Sequence, residues 1–197
     1  RPVTVPGLPR FVGGAVGYLG YDMVKAFEDL PSRRKDHLGL PDFAFLLTET
    51  LLIFDNVSQK IKVVANAHVK STSDRDIRAA YRLATGRIER MIARLRRPFR
   101  QAKPKRRRSP IRFTPNMSKA DFEKMVARAQ EYIKAGDIFQ CVLSQRWETN
   151  LHAPPFQLYR ALRVVNPSPY MYYLRIAGVE LVGSSPEILV RCEDGLV

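Results

Sequence analysis

The spacing of apolar positions changes along the chain and divides it into stretches of different character. The opening, Phe11-Val-Gly-Gly-Ala-Val-Gly-Tyr-Leu-Gly-Tyr-Asp22, is apolar and punctuated by glycine, and Asp22 can cap a short helix reaching Phe27 before Leu30-Pro31. Two β-branched and aromatic runs follow, at 43–54 and 61–69, separated by the polar Asp55-Asn-Val-Ser-Gln-Lys60; they read as two antiparallel strands and their turn. From Ser73 the period lengthens. Ile77, Tyr81, Ala84, Ile88, Met91 and Leu95 recur at steps of three and four, the apolar stripe of a helix that Pro98 ends. A second helix is expected after Ser118, a good N-cap, with Asp121 and Glu123 in its first turn and Gly136 at its end. Its buried face would be Phe122, Met125, Val126, Ala129 and Ile133. Residues 138–147 then read as a strand, Pro154 or Pro155 opens a helix through Val165, and Asn166-Pro-Ser-Pro169 breaks it. Strands at 170–176 and 180–184 flank a turn at Ala177-Gly178. A last strand at 188–192 should turn at Asp194-Gly195. A hairpin begun and not completed leaves an open edge, the expectation for part of a longer polypeptide.

The glycines at 13, 14, 17 and 20 contain no Gly-x-Gly, so they do not form the phosphate-binding fingerprint. Strands packed too closely for side chains are the better explanation. With 45% apolar and 10% aromatic residues among 197, the chain is neither disordered nor a disulfide scaffold. Cys141 and Cys192 belong to no Cys-x-x-Cys pair, which favours a reducing compartment, the cytoplasm. No apolar run approaches the roughly 20 residues that span a bilayer, so no membrane is expected as a partner.

The net charge of +14 points at first to a polyanion. Its location changes that reading. Residues 74–97 hold eight arginines against Asp74, Asp76 and Glu89, and residues 98–119 hold eight Lys or Arg and no acid, while the remainder is almost neutral. Residues 100–114, with Lys105-Arg-Arg-Arg108 between Pro104 and Pro110, have no periodicity and read as a flexible linker. Without interleaved aromatics or a base-reading fold, a solvated arginine-rich helix and linker is preferred to a nucleic-acid or acidic-partner module.

Three later stretches, together with the glycine-rich opening, resemble the anthranilate synthase component I family of chorismate-utilising enzymes. They are Ile133-Lys-Ala-Gly-Asp-Ile-Phe-Gln-Cys-Val-Leu-Ser-Gln-Arg146, Asn166-Pro-Ser-Pro-Tyr-Met171 and Gly183-Ser-Ser-Pro-Glu187, in the family's order and spacing. The resemblance implies an α+β fold of antiparallel β-sheets with outer helices, layered α/β/β/α and incomplete in this chain. It divides the chain into residues 1–72, part of an N-terminal region; 73–117, the basic helix and linker; and 118–197, the first part of a chorismate-binding catalytic domain.

It further implies that Glu187 is the general acid that protonates the leaving C4 hydroxyl of chorismate, a role suited to a carboxyl kept neutral by partial burial. At the position of Gln140, relatives that add water carry a lysine as base. An amide cannot take that proton at neutral pH, but ammonia needs no base, so Gln140 points to amination. Asn166, Pro169, Tyr170 and Met171 fall on the family's feedback site for tryptophan, where proline, aromatic and thioether groups suit an indole. Met171 favours anthranilate synthase over the related aminodeoxychorismate synthase of folate biosynthesis. The family's partners follow: chorismate, tryptophan as inhibitor, and a glutaminase subunit or domain. Mg²⁺ is the implied cofactor, with its carboxylate ligands expected in a C-terminal part that this chain lacks, so no metal ligand is assigned here. The upstream Leu-Leu-Glu-Ser element of the tryptophan pocket is also missing. His37, His68 and His152 match no functional motif. The chain alone is expected to be inactive, and binding of tryptophan without catalysis is the remaining alternative.

Overall fold

The computed structural model describes residues 3, 5–31, 36, 38–99 and 110–197. The chain is α+β, with four two-stranded sheets and three α-helices among the described residues. It divides into two compact units, the first built from Arg1–Gln101 with Tyr172–Leu181 and the second from Ala102–Met171 with Val182–Val197. Most of the basic linker, including Lys105 to Arg108, lies outside the described residues, as does His37.

In the first unit β1 (Gly14–Leu19) pairs antiparallel with β2 (Phe43–Thr48), setting Gly17 opposite Phe45. A Cβ at Gly17 would lie 1.9 Å from the Ala44 carbonyl oxygen and 2.7 Å from the Phe45 Cα. The glycine-rich opening therefore serves close strand packing, as expected from the sequence. The short helix after it is a 3-10 turn, Tyr21–Ala26, capped by Gly20 rather than Asp22. Asp22 lies inside the first turn and pairs with Lys25 at 2.6 Å.

The apolar run at 43–54 is not one strand. It breaks at Glu49, after which β3 (Thr50–Asp55) pairs with β4 (Lys60–Ala65), while β2 stays with β1. The break is polar and occupied: the Asn66 amide donates to the Glu49 carbonyl at 2.8 Å, and the Glu49 carboxylate meets Arg87 at 2.8 Å and His68 at 3.4 Å. Strand β4 ends at Ala65, short of the expected Val69. The turn between β3 and β4 is held by Asp55, whose Oδ1 accepts from the amides of Val57 (3.2 Å) and Ser58 (3.0 Å), and whose Oδ2 meets Lys62 at 2.9 Å. The Ser58 amide, followed by Lys62, holds the Asp55 carboxyl well below the usual carboxylate range.

Helix α1 (Asp74–Leu95) starts at Ser73, whose hydroxyl accepts from the Asp76 amide at 3.3 Å, and packs on β4. The contact face overlaps the predicted stripe at Ala84, Ile88 and Met91, while Ile77, Tyr81 and Leu95 stay exposed. Ala80 and Ala84 are buried, at 6% and 7% exposure, whereas Tyr81 stays 70% exposed. Alanine lets the helix axis come close to the strand, and a tyrosine in the same line would hold it off.

In the second unit Ser118 caps α2 (Lys119–Ala135) by accepting from the Asp121 amide at 3.1 Å and donating to its carboxylate at 2.7 Å. Gly136 ends it at φ +83, the left-handed conformation that glycine reaches without strain. Phe122, Met125, Val126 and Ala129 are half-buried, but Ile133 is exposed. The strand expected at 138–147 does not form: only Trp147–Glu148 (β6) pairs, with Thr114–Pro115 (β5). A β-prone run becomes a strand only where another segment accepts its backbone ladder, and among the described residues no strand pairs with 138–146, although the Arg146 carbonyl accepts from the Asn116 amide at 2.9 Å. The strand expected at 188–192 is absent for the same reason, although its turn is present as an isolated Glu193–Leu196 bridge across Asp194 and Gly195. Helix α3 (Pro155–Val165) places Pro155 at its first position.

Strands β7 (Tyr170–Ile176) and β8 (Val179–Ser185) pair across Ala177-Gly178, both at positive φ, +50 and +77. These angles fit the tight turn whose twist matches a hairpin. Glu180 accepts from Tyr173 Oη at 3.0 Å and from Arg175 Nε at 2.6 Å. Arg175, then Tyr173, lowers the Glu180 carboxyl below its ordinary value, and Glu180 raises Arg175 in turn.

Candidate functional site

The six residues singled out from the sequence all lie in the second unit. Asn166 ends α3, with its amide donating to the Leu162 carbonyl at 2.8 Å, and the prolines after it prevent the helix from continuing. Pro169 leads directly into β7, which starts with Tyr170 and Met171. Strand β8 ends at Ser185, and Pro186-Glu187 leaves it.

Two of the three sequence stretches are joined. The Ser184 hydroxyl donates to the Asn166 carbonyl at 2.8 Å, and the Ser168 hydroxyl donates to the Ser185 carbonyl at 2.8 Å. These reciprocal bonds fix Asn166-Pro-Ser-Pro169 against Gly183-Ser-Ser-Pro-Glu187. Ser185 also donates to the Glu187 carbonyl at 3.0 Å, which shapes the exit from β8. None of the three serines was singled out from the sequence, yet all sit inside the two motifs. A hydroxyl repeated beside proline, where backbone carbonyls lack ladder partners, was the available signal.

The third stretch is anchored elsewhere. Its last residues, Gln145 and Arg146, bind the segment before α2: Gln145 Nε2 donates to the Met117 carbonyl at 3.1 Å and the Arg146 amide donates to Asn116 Oδ1 at 3.0 Å. Gln140 is exposed, and among the described residues no hydrogen bond joins it to Glu187. Glu187 is exposed as well.

Tyr170 and Met171 are consecutive strand residues, and their side chains leave β7 on opposite faces. Met171 is half-buried and Tyr170 is 43% exposed. A ligand on the Met171 face would meet the Tyr170 backbone, not its ring.

Among the described residues no three His, Cys, Asp or Glu side chains gather around one point, so the donors present do not fit a Mg²⁺ site by themselves. Cys141 and Cys192 are free and exposed. No helix of the described residues is long and apolar enough to cross a membrane.

The family model described as chorismate binding enzyme matches residues 2–197. The chain belongs to the chorismate-binding enzyme family. Among this family's members, anthranilate synthase component 1 of Acetivibrio thermocellus is 45% identical over 199 residues, covering 100% of this chain and 40% of that protein. The Pseudomonas aeruginosa protein of the same name is 41% identical over 201 residues, covering 98% of this chain and 39% of the relative. A crystal structure of anthranilate synthase component I from Streptococcus pneumoniae superimposes with a TM-score of 0.80 at 34% identity, over 99% of this chain and 43% of that one. The chain thus spans about 40% of the length of the family members it matches. The α+β class with small antiparallel sheets agrees with the family's fold.

Proposed function

We propose that this chain is the portion of an anthranilate synthase component 1 that carries the tryptophan-responsive stretch and the Ser-Pro-Glu element. The observation that carries the reading is the pair of hydrogen bonds between Asn166-Pro-Ser-Pro169 and Gly183–Glu187, which brings together two motifs of a chain 45% identical to such an enzyme along its whole length. In this reading ammonia adds at C2 of chorismate and the C4–O bond breaks, with the Glu187 carboxyl giving its proton to the departing hydroxyl, which leaves as water. Loss of the enolpyruvyl side chain as pyruvate then yields anthranilate. Gln140 supports amination because an amide provides no base for water.

Mg²⁺, when bound, would neutralise the substrate carboxylate and be held by residues outside this chain. A glutaminase partner would supply the ammonia, and tryptophan would bind at the Met171 face. The protein carrying this sequence, given chorismate, Mg²⁺ and an ammonium salt, should release fluorescent anthranilate, inhibited by tryptophan. Release of aminodeoxychorismate instead would overturn the assignment in favour of the folate branch. The 197 residues alone are expected to be inactive.

A further inference from the structure

The outward face of α1 carries a stripe that the proposed function does not use. Arg75, Ala79, Arg82, Gly86, Arg90, Ala93 and Arg97 follow one another at steps of four, three, four, four, three and four, so they fall on one line along the helix and just past its Arg96 cap. Arginines alternate with small residues along the line, which the exposed Glu89 and Leu83 flank on either side. At 1.5 Å per residue, successive arginines stand about 11 Å apart over a helix about 33 Å long. All four are exposed, and none pairs with an acid among the described residues. The residues outside that description include no Asp or Glu. The half-buried Arg87 is different, being committed to Glu49 at 2.8 Å. Arg90 already lies over the small residue beside it, with Nη1 3.4 Å from where a Gly86 Cβ would be.

Against the solvated face preferred from sequence, we propose that this stripe binds the phosphodiester backbone of a nucleic acid without reading its sequence. The chemistry selects this partner in three ways. Guanidinium forks grip phosphate oxygens bidentately, and the eight basic residues of 74–97 are all arginine. The small residues between the arginines let a backbone approach the helix closely. A protein interface instead centres on an aromatic or aliphatic anchor, and the arginine line itself holds none, Leu83 standing beside it rather than in it. A strand with one charge about every 3.4 Å presents a phosphate to each arginine whatever its register.

The test uses the full chain, with labelled single-stranded RNA and duplex DNA of equal length in separate arms, followed by fluorescence anisotropy between 50 and 200 mM salt. The Arg75→Gln/Arg82→Gln/Arg90→Gln/Arg97→Gln variant is compared with a variant carrying Lys60, Lys119, Lys124 and Lys134 changed to Gln, which removes the same charge elsewhere. Glutamine is a good helix former, and circular dichroism confirms that α1 persists in the variant. Four lost phosphate contacts should flatten the salt slope on duplex DNA by about 3.6, and by about 2.8 on the single strand. On duplex DNA the native chain should therefore lose about 150-fold more affinity than the arginine variant across that salt range. The arm with the tighter binding identifies the natural polymer. The proposal is overturned if both variants flatten the slope equally, if neither polymer binds at 50 mM salt, or if poly-glutamate displaces the oligonucleotide at equal charge. That last result would assign the stripe to an acidic protein.

Discussion

Replacing Gly17 with alanine tests the close approach of β1 and β2. The added carbon would sit 1.9 Å from the Ala44 carbonyl oxygen, with the Phe45 Cα at 2.7 Å and the Ala44 carbonyl carbon at 2.8 Å. All three are backbone atoms of the paired strand, so no flexible side chain can swing away. The strands must part by more than an ångström or the pairing must shift. Overpacking of this kind costs about 1–3 kcal/mol, and a purely backbone clash belongs at the upper end, about 3 kcal/mol. Relief of unfolded-state entropy on going from glycine to alanine returns about 0.4–1 kcal/mol. The net loss is then about 2 kcal/mol, a roughly 30-fold fall in the folded-to-unfolded ratio. At a slope of about 2 kcal/mol per molar urea, the midpoint should move down by about 1 M. Gly20→Ala is the internal control, because its nearest atom, the Asp42 carbonyl oxygen, lies at 3.0 Å and the next at 3.8 Å. The assay is urea denaturation of the protein carrying this sequence, followed by circular dichroism. A Gly17→Ala midpoint within 0.3 M of the parent and of Gly20→Ala, a margin of about 0.6 kcal/mol, would refute the close packing.

Four further outcomes are expected. Ser184→Ala and Ser168→Ala each remove one hydrogen bond between the motifs, costing about 1 kcal/mol in stability, and in the enzyme proposed above both should weaken tryptophan inhibition more than ammonia-dependent turnover. Gly136→Ala forces a side chain into the left-handed conformation at the end of α2 and should cost about 1 kcal/mol, read as a lower melting temperature. Because Glu180 is lowered in the folded chain by Arg175 and Tyr173, its contribution is present above the ordinary glutamate range and lost as pH falls through the folded value; the stability gap between the parent and Glu180→Gln should therefore close on acidification. Gln140→Lys restores a base and should divert chorismate to a hydroxylated product detectable by chromatography, while an unchanged anthranilate yield would remove Gln140 from the argument.

The elements that could be read from sequence were those whose signals are local. Ser118 and Gly136 bound α2, Pro155 opens α3 and Ala177-Gly178 turns the last hairpin because a cap, a ring-fixed φ or a tight turn acts within a few residues. What escaped depended on partners distant in sequence. The break at Glu49 is set by Asn66 and Arg87, and 138–146 lacks a strand to pair with despite a β-rich composition. Helix α1 was legible in extent and in the middle of its face, at Ala84, Ile88 and Met91, but not in the contact of Ala80, which depends on β4. At the candidate site the motifs themselves were visible. The serine bonds between them were not, because no local pattern shows which distant carbonyl a hydroxyl will meet.

The division of one apolar run at Glu49 has a consequence for misfolding. A lone hairpin can slip by one residue, turning its apolar face outward, with only the turn to resist. Here β2 and β3 share a chain, and each is registered against a different neighbour, one through the glycine opposite Phe45 and the other through the Asp55 turn. A slip in either ladder would have to drag Glu49 past Arg87 and upset the other ladder at the same moment. The two small sheets therefore check each other's alignment, a safeguard against the edge-to-edge association that short exposed strands otherwise invite.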